Sequence, residues 1–252
     1  MASRTDQAPS RREFVRALAT TVGGAALMPA TLVAASGGTT RQERPLRIGI
    51  IGSGRMGGAV GLRWAEAGHE ILFSSRNPDG LTDLVERAGA RARAGYPEDA
   101  ATFGEVVLIA VPYGALPQVG RDYAPLMAGK IVIDCGNPRA DRDGPMADEA
   151  IAKGTGVASA EYLPGVRLVR SFNALSFGQV EQEAHRQGEK IGIPIAADDD
   201  EAIAVTSRLV RDAGFDPVVV GPLARARDFD RGTPVYVKGM TAAELRAALR
   251  LR

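Results

Sequence analysis

Cysteine is almost missing from this chain: Cys135 is the only one among 252 residues, so no intrachain disulfide can form in any compartment. Histidine is scarce as well. The two present, His69 and His185, lie far apart without the spacing of metal ligands. His69 follows Gly68 at a predicted helix end, where a ring interacting with the helix dipole is the simpler expectation. Neither sign of charge is in excess: 31 Lys and Arg stand against 30 Asp and Glu, the formal net charge is +1, and the basic residues are scattered. That leaves no basic stripe for nucleic acid and no acidic solvating tail. There is no internal repeat and, outside the leader, no low-complexity segment. What is present, 45% hydrophobic and 24% charged residues, suits one α/β domain with a small appendage.

The first 45 residues read as separate from the fold. Ser10-Arg11-Arg12-Glu13-Phe14-Val15 follows the twin-arginine signal pattern and precedes a weakly apolar stretch, Ala17 to Ala35, that contains Thr and Gly. Val33-Ala34-Ala35-Ser36 offers small residues for cleavage, so residues 1–36 are expected to be a signal peptide and 37–45 a polar linker. An uncleaved anchor is disfavoured because the apolar run only approaches the roughly 20 residues a span requires and is broken by Gly, Thr and Pro. The expected partner is the twin-arginine export machinery, and the expected location is periplasmic or otherwise extracytoplasmic. That pathway carries folded proteins, which suits a chain loaded with a cofactor, although such a cofactor would have to be retained or supplied outside the cytoplasm.

Residues Leu46 to Gly57, LRIGIIGSGRMG, run an apolar strand directly into Gly52-Ser53-Gly54-Arg55-Met56-Gly57. In a G-x-G-x-x-G turn the first glycine permits the tight bend, the second lets the backbone approach a pyrophosphate, and the third lets the next helix pack on the strand, whose N-terminal amides favour an anion. The context matches: Arg55 to Ala67 is helix-like, Gly68 can end the helix, and Glu70 to Phe73 reads as a second strand. An NAD site usually closes that second strand with Asp or Glu, whereas here Ser74-Ser75-Arg76-Asn77 stands in the place. Hydroxyls and a guanidinium suit a 2′-phosphate that a carboxylate would repel, so the expected cofactor is NADP(H). Ser74 to Pro78 can also be read as a plain polar turn, and Asp79 would serve NAD if the loop folded back.

Strands and helices then alternate. Helices are expected at Leu81 to Ala88, Glu98 to Gly104 and Tyr113 to Tyr123, and strands at Arg91 to Ala94, Glu105 to Val111 and Lys130 to Asp134. Such alternation predicts a Rossmann-like, doubly wound, mostly parallel sheet, with ligands beyond the carboxyl ends of its strands. This singles out Val111-Pro112-Tyr113 and Gly136-Asn137-Pro138 as neighbours of a nicotinamide. Past Arg139 the pattern loosens: Asp141 to Pro145 reads as a turn, Met146 to Lys153 and Ala158 to Leu163 as helices, and Gly165 to Phe172 as a strand ending in Asn173-Ala174-Leu175. Strands at Lys190 to Ala196 and Asp216 to Val220 flank a helix over Asp199 to Ala213, capped by Asp198 or Asp199, and helical residues at Leu223 to Asp228 and Ala242 to Leu251 finish the chain. The expected division is an NADP-binding domain over 46–187 and a small C-terminal α/β segment over 188–252.

Taken together, the glycine turn, Ser74-Ser75-Arg76, Val111-Pro112-Tyr113, Val169-Arg170-Ser171-Phe172-Asn173 and Ile193-Pro194-Ile195-Ala196-Ala197-Asp198-Asp199 resemble the NADPH-dependent coenzyme F-420 reductase family, whose relatives include the cytosolic domains of the STEAP metalloreductases. The resemblance spans about Leu46 to Leu223. It implies that Gly52 to Gly57 hold the pyrophosphate, that Ser53, Ser75 and Arg76 hold the 2′-phosphate, and that Val111-Pro112 and Asn173-Ala174 border the nicotinamide. It also implies a deazaflavin (coenzyme F-420) or flavin as co-substrate.

Reducing a carbonyl normally needs a proton donor beside the oxygen, whereas hydride transfer between nicotinamide and a flavin-like ring needs mainly the two rings held face to face. No catalytic side chain is therefore assigned. Tyr113 could donate a proton, although a tyrosine at a strand end more often packs, and Cys135 closing a buried strand reads as an apolar filler. The expected function is an NADP(H)-dependent oxidoreductase acting on a flavin or deazaflavin acceptor. Alternatives are a non-catalytic NADP-binding or sensing protein, and an NADP-dependent imine or keto reductase. The partners expected are a small-molecule redox acceptor and no nucleic acid, with homodimerisation left open.

Overall fold

In the computed structural model, residues 44–251 are described. The twin-arginine motif, the cleavage site and nearly all of the expected linker lie outside them. Among the described residues no helix is long and apolar enough to cross a membrane.

The glycine turn joins strand β1 (Arg47–Ile51) to helix α1 (Arg55–Glu66), and β2 (Glu70–Ser74), α2 (Thr82–Ala88), β3 (Ala92–Gly95), α3 (Pro97–Phe103) and β4 (Val106–Ile109) follow. A single turn at Tyr113–Ala115 leads into α4 (Leu116–Met127) and β5 (Ile131–Asp134). Three helices, α5 (Ala140–Asp143), α6 (Pro145–Lys153) and α7 (Thr155–Tyr162), separate β5 from β6 (Arg167–Ser171). The chain closes through α8 (Phe177–Glu183), β7 (Gly192–Ala197), α9 (Asp200–Asp212), β8 (Asp216–Gly221), a 3-10 turn at Leu223–Asp228 and α10 (Ala242–Ala248).

All eight strands form one sheet in the order β3-β2-β1-β4-β5-β6-β7-β8. The pairs from β3 across to β6 are parallel, β6 and β7 run antiparallel, and β7 and β8 are again parallel. The expected doubly wound, mostly parallel architecture is what the chain adopts. Segment 188–252 supplies β7 and β8 to the same sheet rather than a sheet of its own. The reversal of chain order between β1 and β4 opens the crevice in which such sheets bind ligands.

The four residues of β4 and of β5 are all buried, as a parallel strand covered on both faces requires. On one face Ile48, Ile50, Phe73 and Leu108 pack with Val60 and Trp64 of α1 and with Leu209 and Val210 of α9. On the other, Ile51, Leu72, Val107 and Ile109 meet Ala100 of α3, Leu116 and Val119 of α4 and Ala158 of α7. Trp64 ties the first face together: its Nε1 donates to Leu209 O at 2.8 Å, and its ring meets Phe172 edge to face, 5.7 Å between centroids. His69 lies at the far, amino end of the sheet. It is buried, its Nδ1 accepts from Leu46 N at 3.0 Å, and its Nε2 faces Asp212 Oδ2 at 2.9 Å, so it serves structure there.

Two boundaries differ instructively from the sequence reading. Expected helix Tyr113 to Tyr123 begins as a 3-10 turn and runs on to Met127, and the expected turn after Asp141 holds the short helix α5. Helix α8 was not expected at all.

Candidate functional site: the carboxyl edge of the sheet

Each glycine of the turn meets a different physical demand. Gly52 has φ +95°, and a Cβ there would lie 2.7 Å from Ala110 O, so bend and neighbour both exclude a side chain. A Cβ on Gly57 would stand 2.3 Å from Gly52 O, which is the close approach of helix to strand. Around Gly54 there is nothing within 4 Å of a Cβ position, so the backbone at the mouth of α1 faces open space. Gly54 is also the N-cap of α1, with no side-chain cap and no acidic residue in the first turn. The first amides of a twelve-residue helix are thus left without side-chain partners, an arrangement suited to an anion. Arg55 is exposed and lies over the Phe177 ring at 4.9 Å, while Met56 is half-buried against the core.

The two serines nearest this turn tie the strand ends together. Ser53 N donates to Ser74 O at 2.9 Å, Ser74 N donates to Ser53 Oγ at 2.8 Å, and Ser74 Oγ donates to Ile50 O at 2.6 Å. Ser74 is fully buried and its proton is spent, which corrects the expectation that it contacts the cofactor. Ser53 keeps a proton to give. Ser75 is half-buried and its Oγ accepts from Asn77 N at 3.0 Å, which shapes the turn. Arg76 and Asn77 are exposed, and the Arg76 guanidinium has no hydrogen bond or ion pair with any described residue. A 2′-phosphate would find this cation free.

Along the other half of the edge, Val111 is half-buried and Pro112 exposed. Tyr113 departs from expectation. It is buried, and its hydroxyl lies 2.9 Å from Ser159 Oγ and 3.4 Å from Thr155 O. Burial, reinforced by the Asp134 carboxylate, pushes its phenol above the usual range. The chain turns inward after Pro112, so this side chain points into the core with its hydroxyl engaged at Ser159 and is not free at the carboxyl edge where it was expected. Cys135 is likewise buried, with Sγ 3.3 Å from Ile109 O, and burial together with Asp134 pushes its thiol up to about 12. It is a filler, not a nucleophile.

Beneath the edge lies a buried polar network that the sequence did not announce. Arg170 of β6 donates from Nη1 to Asp134 Oδ2 at 2.6 Å and from Nη2 to Gly136 O at 2.7 Å, with Asp230 Oδ1 at 3.4 Å. Ser159 Oγ donates to Asp134 Oδ2 at 2.7 Å, and Gly136 N to Oδ1 at 2.8 Å. Thr155 Oγ1 donates to Asp230 Oδ1 at 2.6 Å. Arg170 and Asp134 are fully buried, an arrangement that persists only when charges are paired and bonded.

This network carries Asn137 and Asn173. Asn137 Nδ2 donates to Asn173 O at 2.8 Å, and Asn173 Nδ2 faces Asn137 Oδ1 at 3.4 Å and Asp230 Oδ1 at 3.3 Å. Asn173 is buried, and its Oδ1 has no partner among the described residues. The backbone on either side is unusual. Phe172, immediately before it, has φ 60°, and Val237, whose N donates to Ala174 O at 2.8 Å, has φ 56°. Left-handed conformations are costly for such side chains and gather where a structure fixes a site. Asn137, Asn173 and Ala174 are thus brought together at the ends of β5 and β6. Arg76 and the glycine turn occupy the ends of β1 and β2. The pairing of Arg170 with Asp134 and Asp230, and the Ser159 bond to Asp134, escaped the sequence reading because paired buried charge looks like surface charge in a sequence.

Fold and turn together define a Rossmann-type nucleotide-binding domain of the kind oxidoreductases use. Residues 47–138 match the family model described as NADP oxidoreductase coenzyme F420-dependent. Metalloreductase STEAP3 of Rattus norvegicus is 30% identical over 196 residues, covering 75% of this chain and 36% of the relative. The chain therefore spans little more than a third of that curated relative. Among solved structures, a hypothetical protein of Sinorhizobium meliloti shares the fold at 24% identity with TM-score 0.68, covering 78% of this chain and 95% of that one. A protein of Arthrobacter sp. FB24, provisionally named an F420-dependent NADP-reductase, does so at 21% identity and TM-score 0.64, covering 82% and 96%.

Proposed function

We propose that this chain is an NADP(H)-dependent oxidoreductase that passes a hydride between nicotinamide and a flavin or deazaflavin ring of the coenzyme F-420 kind. The observation that carries the reading is the pairing of an open, uncapped α1 N-terminus at Gly54 with an Arg76 that has no partner among the described residues at the next strand end. One fits a pyrophosphate, the other a 2′-phosphate. The matched family description and the reductase names of the relatives support it. Ser75 and Arg76 would hold the phosphate, Gly52 to Gly57 the pyrophosphate, and Val111, Pro112, Asn137 and Asn173 the nicotinamide end. Bound NADPH would supply the hydride. The chain's part is then to orient the ring and exclude water, and the withdrawal of Tyr113 into the core favours an acceptor that takes a hydride without a tyrosine acid beside it. Export by the twin-arginine pathway, with folding around the cofactor before translocation, belongs to the same proposal.

Purified protein incubated with NADPH and a panel of deazaflavin, flavins and quinones tests this by loss of nicotinamide absorbance. Turnover with a deazaflavin or flavin is expected. Inertness with every acceptor, together with tight NADPH binding, would mark a binding module instead, and turnover only with small imines or ketones would replace the acceptor class.

A further inference from the structure

Tyr96 is 59% exposed, a large ring standing in solvent directly after β3. Strands β2 and β3 pair in parallel, with Phe73 opposite Ala94 and Ser74 opposite Gly95, and Ser75 N donates to Gly95 O at 3.2 Å. One residue further along both strands, Tyr96 stands beside Ser75 at the carboxyl edge. Alternation fixes its face. Leu72 and Arg93 are opposite one another on the side of α3, where the Arg93 guanidinium covers the Phe103 ring at 4.1 Å. Positions 94 and 96 therefore turn to the side of α1, as do 73 and 75.

Nothing local calls for a tyrosine there. Tyr96 is the N-cap of α3, a position that favours short oxygen-bearing side chains, yet its side chain makes no capping bond. Its backbone N is held instead by Asp99 Oδ2 at 2.8 Å. The backbone is fixed and the ring is left over. Ser75 lies alongside on the neighbouring strand end, and the chain continues from it through Arg76, which has no partner among the described residues, to Asn77.

A dinucleotide laid across the carboxyl edge with its pyrophosphate at Gly54 sends the adenosine half over β2 toward β3. Strands lie about 4.8 Å apart, so the end of β3 is about 10 Å from the end of β1, within reach of a ribose and its base. We propose that Tyr96 is the platform on which the adenine ring of NADP(H) stacks, beside the 2′-phosphate held by Arg76. The inference rests on the NADP reading of the turn and adds its base-recognition element. Stacking uses the flat face of the purine and not its edge, so the platform distinguishes a nucleotide from a bare sugar phosphate and is tolerant of which purine it carries.

The test is titration of the full chain with 2′,5′-ADP, and with base-free ribose 2,5-bisphosphate in competition against it. Tyr96→Ala is expected to weaken 2′,5′-ADP roughly tenfold, a size typical of one lost base-aromatic stack, and to leave the bisphosphate unchanged. Tyr96→Phe should bind as the parent does, and circular dichroism should show both variants folded. Equal 2′,5′-ADP affinity in the parent and Tyr96→Ala overturns the platform while leaving the NADP reading intact. Parallel loss of both ligands overturns it too, because the residue would then act through the turn and not the base. Failure of the parent to bind 2′,5′-ADP at all removes the NADP reading, and the platform with it.

Discussion

Gly54 has φ −74° and ψ −157°, an extended conformation open to any residue, and free space where a Cβ would stand. Gly54→Val should therefore keep the fold and remove the cofactor, since the branched side chain would fill the approach to the α1 amides. Calorimetry with NADPH beside circular dichroism checks this, and undiminished affinity in a folded variant would mean the turn does not hold the dinucleotide. Gly57→Val serves as the contrast, because its Cβ would collide with Gly52 O and the damage would appear as lost stability, about 1 to 3 kcal/mol. Arg76→Ala should cost NADPH binding about 1.5 to 3 kcal/mol, or roughly tenfold to a hundredfold, and spare NADH. Equal weakening of both cofactors in titrations would show that the phosphate sits elsewhere. The separate demands on the three glycines were legible because each follows from backbone geometry alone. The fates of Ser74 and Tyr113 were not, since a polar side chain at a strand end can face the ligand or the core, and only the tertiary neighbours, Ile50 O for one and Ser159 for the other, decide.

Among the elements, buried parallel strands such as β4 and β5 were readable as short continuous apolar runs between turn residues. Helix α8 was not, because its seven residues FGQVEQE bury only Val180 fully and are too few to display a helical period. Its start signal was present nevertheless: Ser176 accepts from Gln179 N at 3.2 Å and Gln179 Oε1 accepts from Ser176 N at 3.0 Å. Strand β6 hid more, for a charged residue inside an otherwise apolar strand gives no sign of its partners, whereas Arg170 is fully buried between Asp134 and Asp230. Removing that cation leaves Asp134 dry and uncompensated. Arg170→Leu should lower stability by about 3 to 5 kcal/mol, and neutralising Asp134 at the same time should recover part of the loss. Denaturant midpoints measure both. A near-neutral single variant would mean that the network is solvated and that Asn137 and Asn173 are held by other contacts.

For the whole molecule, the architecture followed from alternation, but the sheet's extension by an antiparallel β7 did not, because strand direction leaves no mark in a residue pattern. Replacing Arg11 and Arg12 by Lys should retain the protein in the cytoplasm, and fractionation showing unchanged export would end the twin-arginine proposal. The chain's single tryptophan has a different use. Trp64 lies in the helix that opens at the glycine turn, bonds to α9, and touches the ring of Phe172, the residue that aims Asn173. The molecule thus carries one tryptophan in the helix that leads away from the glycine turn, in ring contact with the residue before Asn173. Its emission should be blue-shifted in the folded state, move to the red in a single step on unfolding, and be quenched by energy transfer when a reduced nicotinamide settles at the sheet edge, so that folding and cofactor loading can be followed in the same cuvette without a label.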